Sequence, residues 1–380
     1  MAGFEWIKEE EIKELSECLS NRFMYAYGHD DVRTRYYVHE LEDLINKKYN
    51  TNCIAVNSGT SAIFVAIKSL NLPIGSEIIT TPHTFVATIE AIKMNNMIPV
   101  FADLDETNLC LDANSIESLI TDKTKIILPV HMWGHPVNNM NKIKELCVKY
   151  NLYLIEDAAQ CINNKIDDNY VGTIGDFGIL SFGPIKTVTS GEGGIILIKN
   201  KEHFNYIEAI TNHGYSHYEL NGGNYTLGNN FNFRMSEING ALGKIQFNKI
   251  DNIIREQVNN RTLIVNKISN ISNLVEILEP TNDIGYSIIL KFINKEVADK
   301  FIKIFYEYKH KFKLNSNSLN NDFWSKVDDR YFNAKHWNCN YKENNDLLSR
   351  CLYHLISLDY SDINAFITIT ILSLRKLNQL

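Results

Sequence analysis

The chain has 380 residues, 44% hydrophobic and 22% charged, the composition of a globular protein with room for one large domain and a smaller one. A formal net charge of −7 and a pI near 5.9, with no basic stripe, argue against nucleic acid or an anionic membrane as the main partner. The opening MAGFEWIKEE is acidic and amphipathic, unlike a signal peptide, and the longest apolar runs, such as AFITITIL, are too short to span a bilayer.

In chain order, CIAVNSGTSAIFVAIKSL from Cys53 predicts a strand, a turn and a helix. EIITTPHTFVATIEAIK from Glu77 repeats the scheme, with Pro82 marking the loop. IPVFADLD from Ile98 is a strand ending in carboxylates, TKIILPVHMWGHP from Thr124 a strand entering a loop, and YLIEDAAQ from Tyr153 a further strand. IILIKN from Ile195 is expected to return antiparallel or at an edge. This alternation predicts an α/β fold with a largely parallel sheet. From about 251 the texture changes to a long helix, IDNIIREQVNNRTLIVNKI, leading into a smaller α/β unit, so the domains are placed at 1–250 and 251–380. The seven cysteines (Cys18, Cys53, Cys110, Cys147, Cys161, Cys339, Cys351) are scattered and form no C-x-x-C pair, which reads as reduced thiols in a cytoplasmic protein.

In open α/β sheets ligands bind beyond the carboxyl ends of the strands. There, Asn57-Ser58-Gly59-Thr60-Ser61 offers small residues, hydroxyls and free N–H groups at a helix start, either a phosphate cradle or a plain capped helix. Glu156-Asp157-Ala158-Ala159-Gln160 ends a very apolar strand, so at least one carboxylate lies near the floor of the cleft and needs a cationic partner. Phe85 could cover a flat ligand, although by itself it reads as a core residue. Lys186 stands alone in SFGPIKTVTSGEGG. A surface loop lysine would explain that residue but not its companions. A phosphate cradle, a buried acid, a ring for stacking and a lone lysine are the set that pyridoxal 5′-phosphate requires. The lysine forms the Schiff base, with its pKa lowered toward neutrality, and the acid keeps the pyridine nitrogen protonated.

Two other patterns are weaker. His131 and His135 have the i, i+4 spacing of zinc ligands, but Gly134 and Pro136 place them in a loop without a third ligand, so no metal is expected. Asp103 and Asp105 end a strand like a glycosidase pair, yet alternation puts both on one face, which suits solvated or capping roles.

The motifs NSGTSA, PHTFVAT, PVFADLD, PVHMWGHP, IEDAAQ, GDFGILSF, PIK, SGEGG and NFRMSEINGALG follow one another in the order and spacing of a known family. Over the stretch from GFEWIKEEEI to about Arg261 the chain resembles the DegT/StrS group of fold-type I pyridoxal-phosphate sugar aminotransferases. The resemblance implies a large domain with a mostly parallel central sheet flanked by helices, plus a smaller C-terminal α/β domain. It implies that Lys186 is the Schiff-base lysine, Asp157 the pyridine partner and Gln160 a neighbour of the ring hydroxyl. Gly59, Thr60 and Ser181 would hold the phosphate, Phe85 would stack on the ring, and the His131–His135 loop would lie near the substrate. The polar 212–237 stretch would reach across a homodimer interface, with Asn232 and Arg234 contacting the neighbouring cofactor phosphate.

Some relatives replace the lysine with histidine and become dehydratases; this chain keeps it. The chain departs from the family in two places. Threonine follows Lys186 where asparagine is commoner, and no proline lies beyond Pro280, where the family shows proline-containing strands. The implied activity is transfer of an amino group from glutamate or glutamine to the keto group of a sugar-like acceptor, in surface polysaccharide or amino-sugar synthesis. A small phosphorylated ketone such as dihydroxyacetone phosphate or a ketocyclitol stays open as acceptor. A dehydratase and a non-catalytic pyridoxal-phosphate or sugar sensor are the alternative activities.

Overall fold

In this computed structural model the described residues are 2–22, 24, 36–214, 230–279, 282, 284–311, 325–326, 332–333, 345–356 and 360–379. Aliphatic, β-branched runs build a seven-stranded sheet in the order Asn52–Val56, Gly194–Ile198, Phe177–Ser181, Tyr153–Asp157, Thr124–Leu128, Glu77–Thr80, Ile98–Phe101. The last five are mutually parallel. Gly194–Ile198 runs antiparallel to both of its neighbours, as expected, but it is interior, and Asn52–Val56 forms the edge. Every residue of Gly194–Ile198 is buried, because an Ile-Ile-Leu-Ile run has no polar face to give to solvent.

Helices cover both faces, among them Gly59–Ser69, Val86–Met94 and Met140–Tyr150. The N-terminal helix Glu9–Ser20 docks through Glu11, whose fully buried carboxylate accepts from Lys8 N (2.9 Å), Gln246 Nε2 (2.9 Å) and Lys249 Nζ (2.8 Å). That set of donors lets a carboxylate be buried while it stays ionised, and its pKa lies below the ordinary value.

The expected long helix is Ile250–Ile268. It leads to a four-stranded antiparallel sheet in the order Val275–Leu278, Ser287–Phe292, Cys351–Leu355, Ser325–Lys326, covered by helices Lys295–Lys311 and Tyr360–Leu377. One face of this sheet packs on its own helices through Ile288, Leu290, Phe301 and Phe366. Its other face, with Ile289 and Tyr353, joins the core of the large sheet together with Tyr286, which precedes the strand. Phe332–Asn333 also pairs with His83–Thr84. The six cysteines among the described residues are buried free thiols, and no described helix is long and apolar enough to cross a membrane.

The reversed strand has a strict steric requirement at its first residue. A Cβ on Gly194 would lie 2.3 Å from Ser58 O and 2.7 Å from Gly59 N, so only glycine lets the 57–61 turn close over this strand. Gly194→Ala is expected to destabilise the protein by about 1–3 kcal/mol, read as a lowered thermal melting temperature. A wild-type melt would show that the turn yields without cost.

Candidate active site

Beyond the carboxyl ends of the strands lies a cavity of about 310 Å³. Its walls are the turn Ser58–Thr60, the segment Thr84–Thr88, residues of Asp157–Gln160, Ser181, the loop 183–186 and Tyr286, just before the small sheet's strand Ser287–Phe292. Of the nine residues expected to bind the cofactor, the fold brings together Gly59, Thr60, Phe85, Asp157, Gln160, Ser181 and Lys186.

At one end, Ser58 caps the 11-residue helix Gly59–Ser69, its Oγ accepting from Ser61 N at 3.1 Å, while Ser58 O accepts from Ala62 N at 3.0 Å. The amides of Gly59 and Thr60 have no acceptor among the described residues. A Cβ on Gly59 would lie 3.2 Å from Ser181 Oγ, so the glycine lets the helix start close on that hydroxyl. Two free amides at a helix N-terminus beside a serine hydroxyl form a site for a phosphate.

On the floor, both carboxylates of the Glu-Asp pair are buried, with different surroundings. Glu156 accepts from the backbone amides of Gly172 (3.0 Å), Ile174 (2.7 Å) and Gly175 (2.7 Å), and His131 Nε2 lies 3.2 Å away. Because Val137 N donates to His131 Nδ1 at 3.0 Å, the partners assign the ring proton to Nε2, which donates to Glu156. Glu156 is thus saturated and ties down the 172–175 loop. Asp157 faces the cavity with fewer partners: Ala159 N at 3.1 Å and Thr88 Oγ1 at 2.9 Å, the latter backed by Thr84 Oγ1 at 2.8 Å. Desolvation raises the Asp157 pKa above the usual carboxylate value, against these bonds and the charge of Lys186.

Lys186 stands across the cavity in a loop held at three points. Its N–H donates to Gly183 O at 3.2 Å, its carbonyl accepts from Gly3 N at 3.0 Å, and the Ile185 carbonyl accepts from Tyr286 OH at 3.2 Å. The Lys186 amine makes no hydrogen bond among the described residues. Desolvation pulls its pKa down to about 8, with Asp157 acting in the opposite sense. Burial therefore outweighs the mutual attraction of the two groups. A flat cationic ring that carries an aldehyde and a phosphate supplies what this site lacks: a charge for Asp157, a carbonyl for Lys186 and an anion for the helix start. The residues present fit pyridoxal phosphate.

Phe85 corrects the reading of it as a core residue. It is the extended N-cap of Val86–Met94, 49% exposed in the cavity wall, because a cap residue lies outside the helix's buried stripe. Gln160 is buried and its Oε1 accepts from Trp133 N at 3.0 Å. Asn232 and Arg234 do not line this cavity. Their backbones bridge to Asn212 and Val56 along the sheet edge, Asn232 Oδ1 accepts from Arg234 N at 3.0 Å, and the Arg234 guanidinium donates to Asn212 Oδ1. Residues 215–229 of the polar stretch lie outside the described residues.

His131 and His135 are both fully buried in a loop, and burial drops the His135 pKa to about 3. Asp105 has a capping role, accepting from Thr107 N at 2.9 Å and Asn138 Nδ2 at 2.8 Å. Thr88, Trp133 and Tyr286 escaped the sequence reading. Thr88 was open to inference, being one turn after Phe85 on the cavity side of a helix start, whereas nothing local marks Tyr286.

The profile of the DegT/DnrJ/EryC1/StrS aminotransferase family matches residues 5–309. The chain is similar to the GDP-perosamine synthase of Escherichia coli O157:H7, 29% identical over 293 residues that cover 75% of each chain. It is also similar to the dTDP-4-amino-4,6-dideoxy-D-glucose transaminase of Shigella dysenteriae, 35% identical over 218 residues, 57% of each. Among solved structures it shares the fold of a Helicobacter pylori aminotransferase involved in pseudoaminic acid biosynthesis, with a TM-score of 0.84, 19% identity and coverage of 97% of both chains.

An acid whose pKa is raised on folding subtracts from stability once the pH passes its unfolded value. In cofactor-free protein, Asp157→Asn is therefore expected to melt no lower than wild type near pH 8, and any advantage should shrink as the pH falls through the carboxylate range. Thermal melts across pH check this. A variant that melts far below wild type at pH 8 would mean that the charged Asp157 contributes net stability even without the cofactor.

Proposed function

We propose, for a chain that belongs to the DegT/DnrJ/EryC1/StrS aminotransferase family, that this site moves an amino group from L-glutamate or glutamine to the keto group of a nucleotide-linked sugar. The chain is a pyridoxal-phosphate-dependent transaminase acting on sugar-type substrates. The observation that carries the reading is the desolvated pair Asp157 and Lys186, facing one cavity with an amide-rich helix start at its end. The nucleotide-linked acceptor is supported by the names of the two sequence relatives, GDP-perosamine synthase and dTDP-4-amino-4,6-dideoxy-D-glucose transaminase.

When bound, the cofactor supplies an electron sink for a substrate carbon that loses its proton. Gly59, Thr60 and Ser181 would hold the phosphate, and Phe85 would lie over the ring and exclude water. Asp157 would keep a proton on the ring nitrogen, while Thr88 and the Ala159 amide fix the orientation of its carboxylate. Gln160, held by Trp133, would meet the ring hydroxyl. Lys186 would hold the cofactor's aldehyde carbon. Its amine, with a pKa near 8 before loading, would take the α-proton of the amino donor in one half-reaction and give a proton to the former keto carbon of the acceptor in the other. Residues 1–250 form the cofactor-binding unit and 251–380 the smaller one, in a cytoplasmic homodimer. Asn232 and Arg234, outside their own chain's cavity, would complete the neighbouring phosphate site.

Lys186→Ala is expected to abolish turnover and leave the fold intact, measured as release of 2-oxoglutarate from glutamate in the presence of a keto-sugar acceptor. Full activity in that variant overturns the assignment. Mixing inactive Lys186→Ala with inactive Arg234→Ala chains should restore activity in up to about a quarter of sites, because half of randomly paired dimers are mixed and each holds one site with both residues. No recovery after confirmed subunit exchange would place Arg234 in the service of its own chain.

A further inference from the structure

We propose that Tyr286 and Ser287, consecutive residues where the small sheet's strand Ser287–Phe292 begins, are positioning residues that fix two parts of the active-site wall, Tyr286 through the Lys186 loop and Ser287 through the Trp133–Gln160 contact. The inference rests on the reading of Lys186 as the reacting amine.

The dipeptide sits where the small sheet meets the large core. Tyr286 is buried and lines the cavity, and its hydroxyl donates to Ile185 O at 3.2 Å. Burial raises the phenol pKa, so the hydroxyl keeps its proton and acts as a donor. The next carbonyl, that of Lys186 itself, accepts from Gly3 N at 3.0 Å. Two successive carbonyls of the lysine loop are therefore held by groups from distant parts of the chain. With both tied, the loop has little freedom to turn the lysine stem away from Asp157.

Ser287 works on the other part of the wall. Its Oγ is fully buried and donates to Trp133 O at 2.8 Å. Trp133 is held in a left-handed conformation, φ +60°, where its own N–H donates to Gln160 Oε1 at 3.0 Å. The indole N–H donates to His83 Nε2 at 3.1 Å, and the ring lies against Tyr353 with centroids 3.8 Å apart. A left-handed non-glycine residue persists only where its surroundings hold it, and the Ser287 bond is part of that hold.

The dipeptide itself is rigidly placed. Arg261 Nε, on the long helix, donates to Ser287 O at 3.2 Å, and Ile356 N donates to Tyr286 O at 3.1 Å. Gly285, at φ +71°, brings the chain so close to that helix that a Cβ would lie 2.5 Å from Val258 N. On the other side, a Cβ on Gly134 would lie 2.6 Å from Tyr286 Cβ, so the Trp133–Gly134 turn rests directly on the tyrosine. Tyr286 stands just before the strand Ser287–Phe292, so strand alternation does not separate the two side chains, and both reach the large core from one dipeptide.

The test is hydrogen exchange, read by mass spectrometry on cofactor-free protein, combined with steady-state kinetics. Tyr286→Phe keeps the ring and removes the hydroxyl. It is expected to speed exchange about five- to tenfold in peptides covering 183–190, with peptides covering 52–56 unchanged, and to lower kcat more than it raises KM for the amino donor. Ser287→Ala should speed exchange in 131–137 and leave 183–190 alone, and Ser287→Thr should restore the wild-type pattern. Unchanged exchange at 183–190 in Tyr286→Phe, or a rise spread evenly over the chain, overturns the tyrosine's role. Unchanged exchange at 131–137 in Ser287→Ala overturns the serine's. Full turnover in Lys186→Ala would instead sink the functional reading and leave the exchange results standing, so the two failures are distinguishable.

Discussion

Asp157 closes a strand whose residues Leu154 and Ile155 are apolar and buried, and its own carboxylate is buried with them. Everything around the cavity is arranged about that fact. Glu156, one position earlier, meets the same burial with three backbone amides and a histidine and becomes part of the framework. Asp157 receives one amide and one hydroxyl, too little to hold its charge at the ordinary carboxylate pKa. Across from it, desolvation pulls the Lys186 pKa down to about 8. Two adjacent acids thus take opposite roles through the number of donors each receives, and the under-supplied one marks where a cationic ring belongs.

The topology of the sheet delivers the other half of the site. The interior strand that runs backward, Gly194–Ile198, begins at the edge where its parallel neighbours end. Its register sets Gly194 between Val56 and Ser181, so the 57–61 turn and the Ser181 hydroxyl arrive side by side above a residue with no side chain. The helix that follows starts with two unused amides because Ser58 caps the third. An anion-binding arrangement of backbone amides and one hydroxyl needs little from side chains, and that is why the NSGTS turn looks so plain in sequence.

Much of this was legible before any coordinates. Alternation of short aliphatic runs with helical segments placed six of the seven strands, all but Phe177–Ser181, since each run ends in Gly, Pro, Asn or Asp. The order of the motifs located Lys186 and Asp157. The rest required distance information. An Ile-Ile-Leu-Ile run is equally compatible with an edge or an interior strand until its neighbours are known. Phe85 looks like any buried aromatic residue until its place at a helix cap shows half of it exposed. The contrast between Glu156 and Asp157 depends on amides 16 to 19 residues away, and the Ile185 carbonyl is met by a tyrosine 101 residues later. Arg234 was read as a ligand of the neighbouring chain's phosphate, a role that its place beside Asn212, outside its own chain's cavity, neither requires nor opposes.

The groups that line the cavity and some of the groups that hold them come from different parts of the chain. Asp157, Lys186 and the helix start all belong to the first 250 residues, where the family motifs are dense. The family profile ends at residue 309, and beyond Pro280 the chain carries no proline. Yet the C-terminal unit presses Tyr286, Ile289 and Tyr353 into the large core, and its backbone at 332–333 pairs with His83–Thr84 beside Phe85. The lysine loop contains Gly183 and Pro184 and has no regular secondary structure of its own to keep it in place. Its rigidity has to come from outside, through two hydrogen bonds to carbonyls that any residue type would present. Such contacts place a demand on the donor's position and none on the loop's sequence. The C-terminal unit can therefore diverge widely around the substrate while one hydroxyl at 286 and one at 287 keep the chemistry in register.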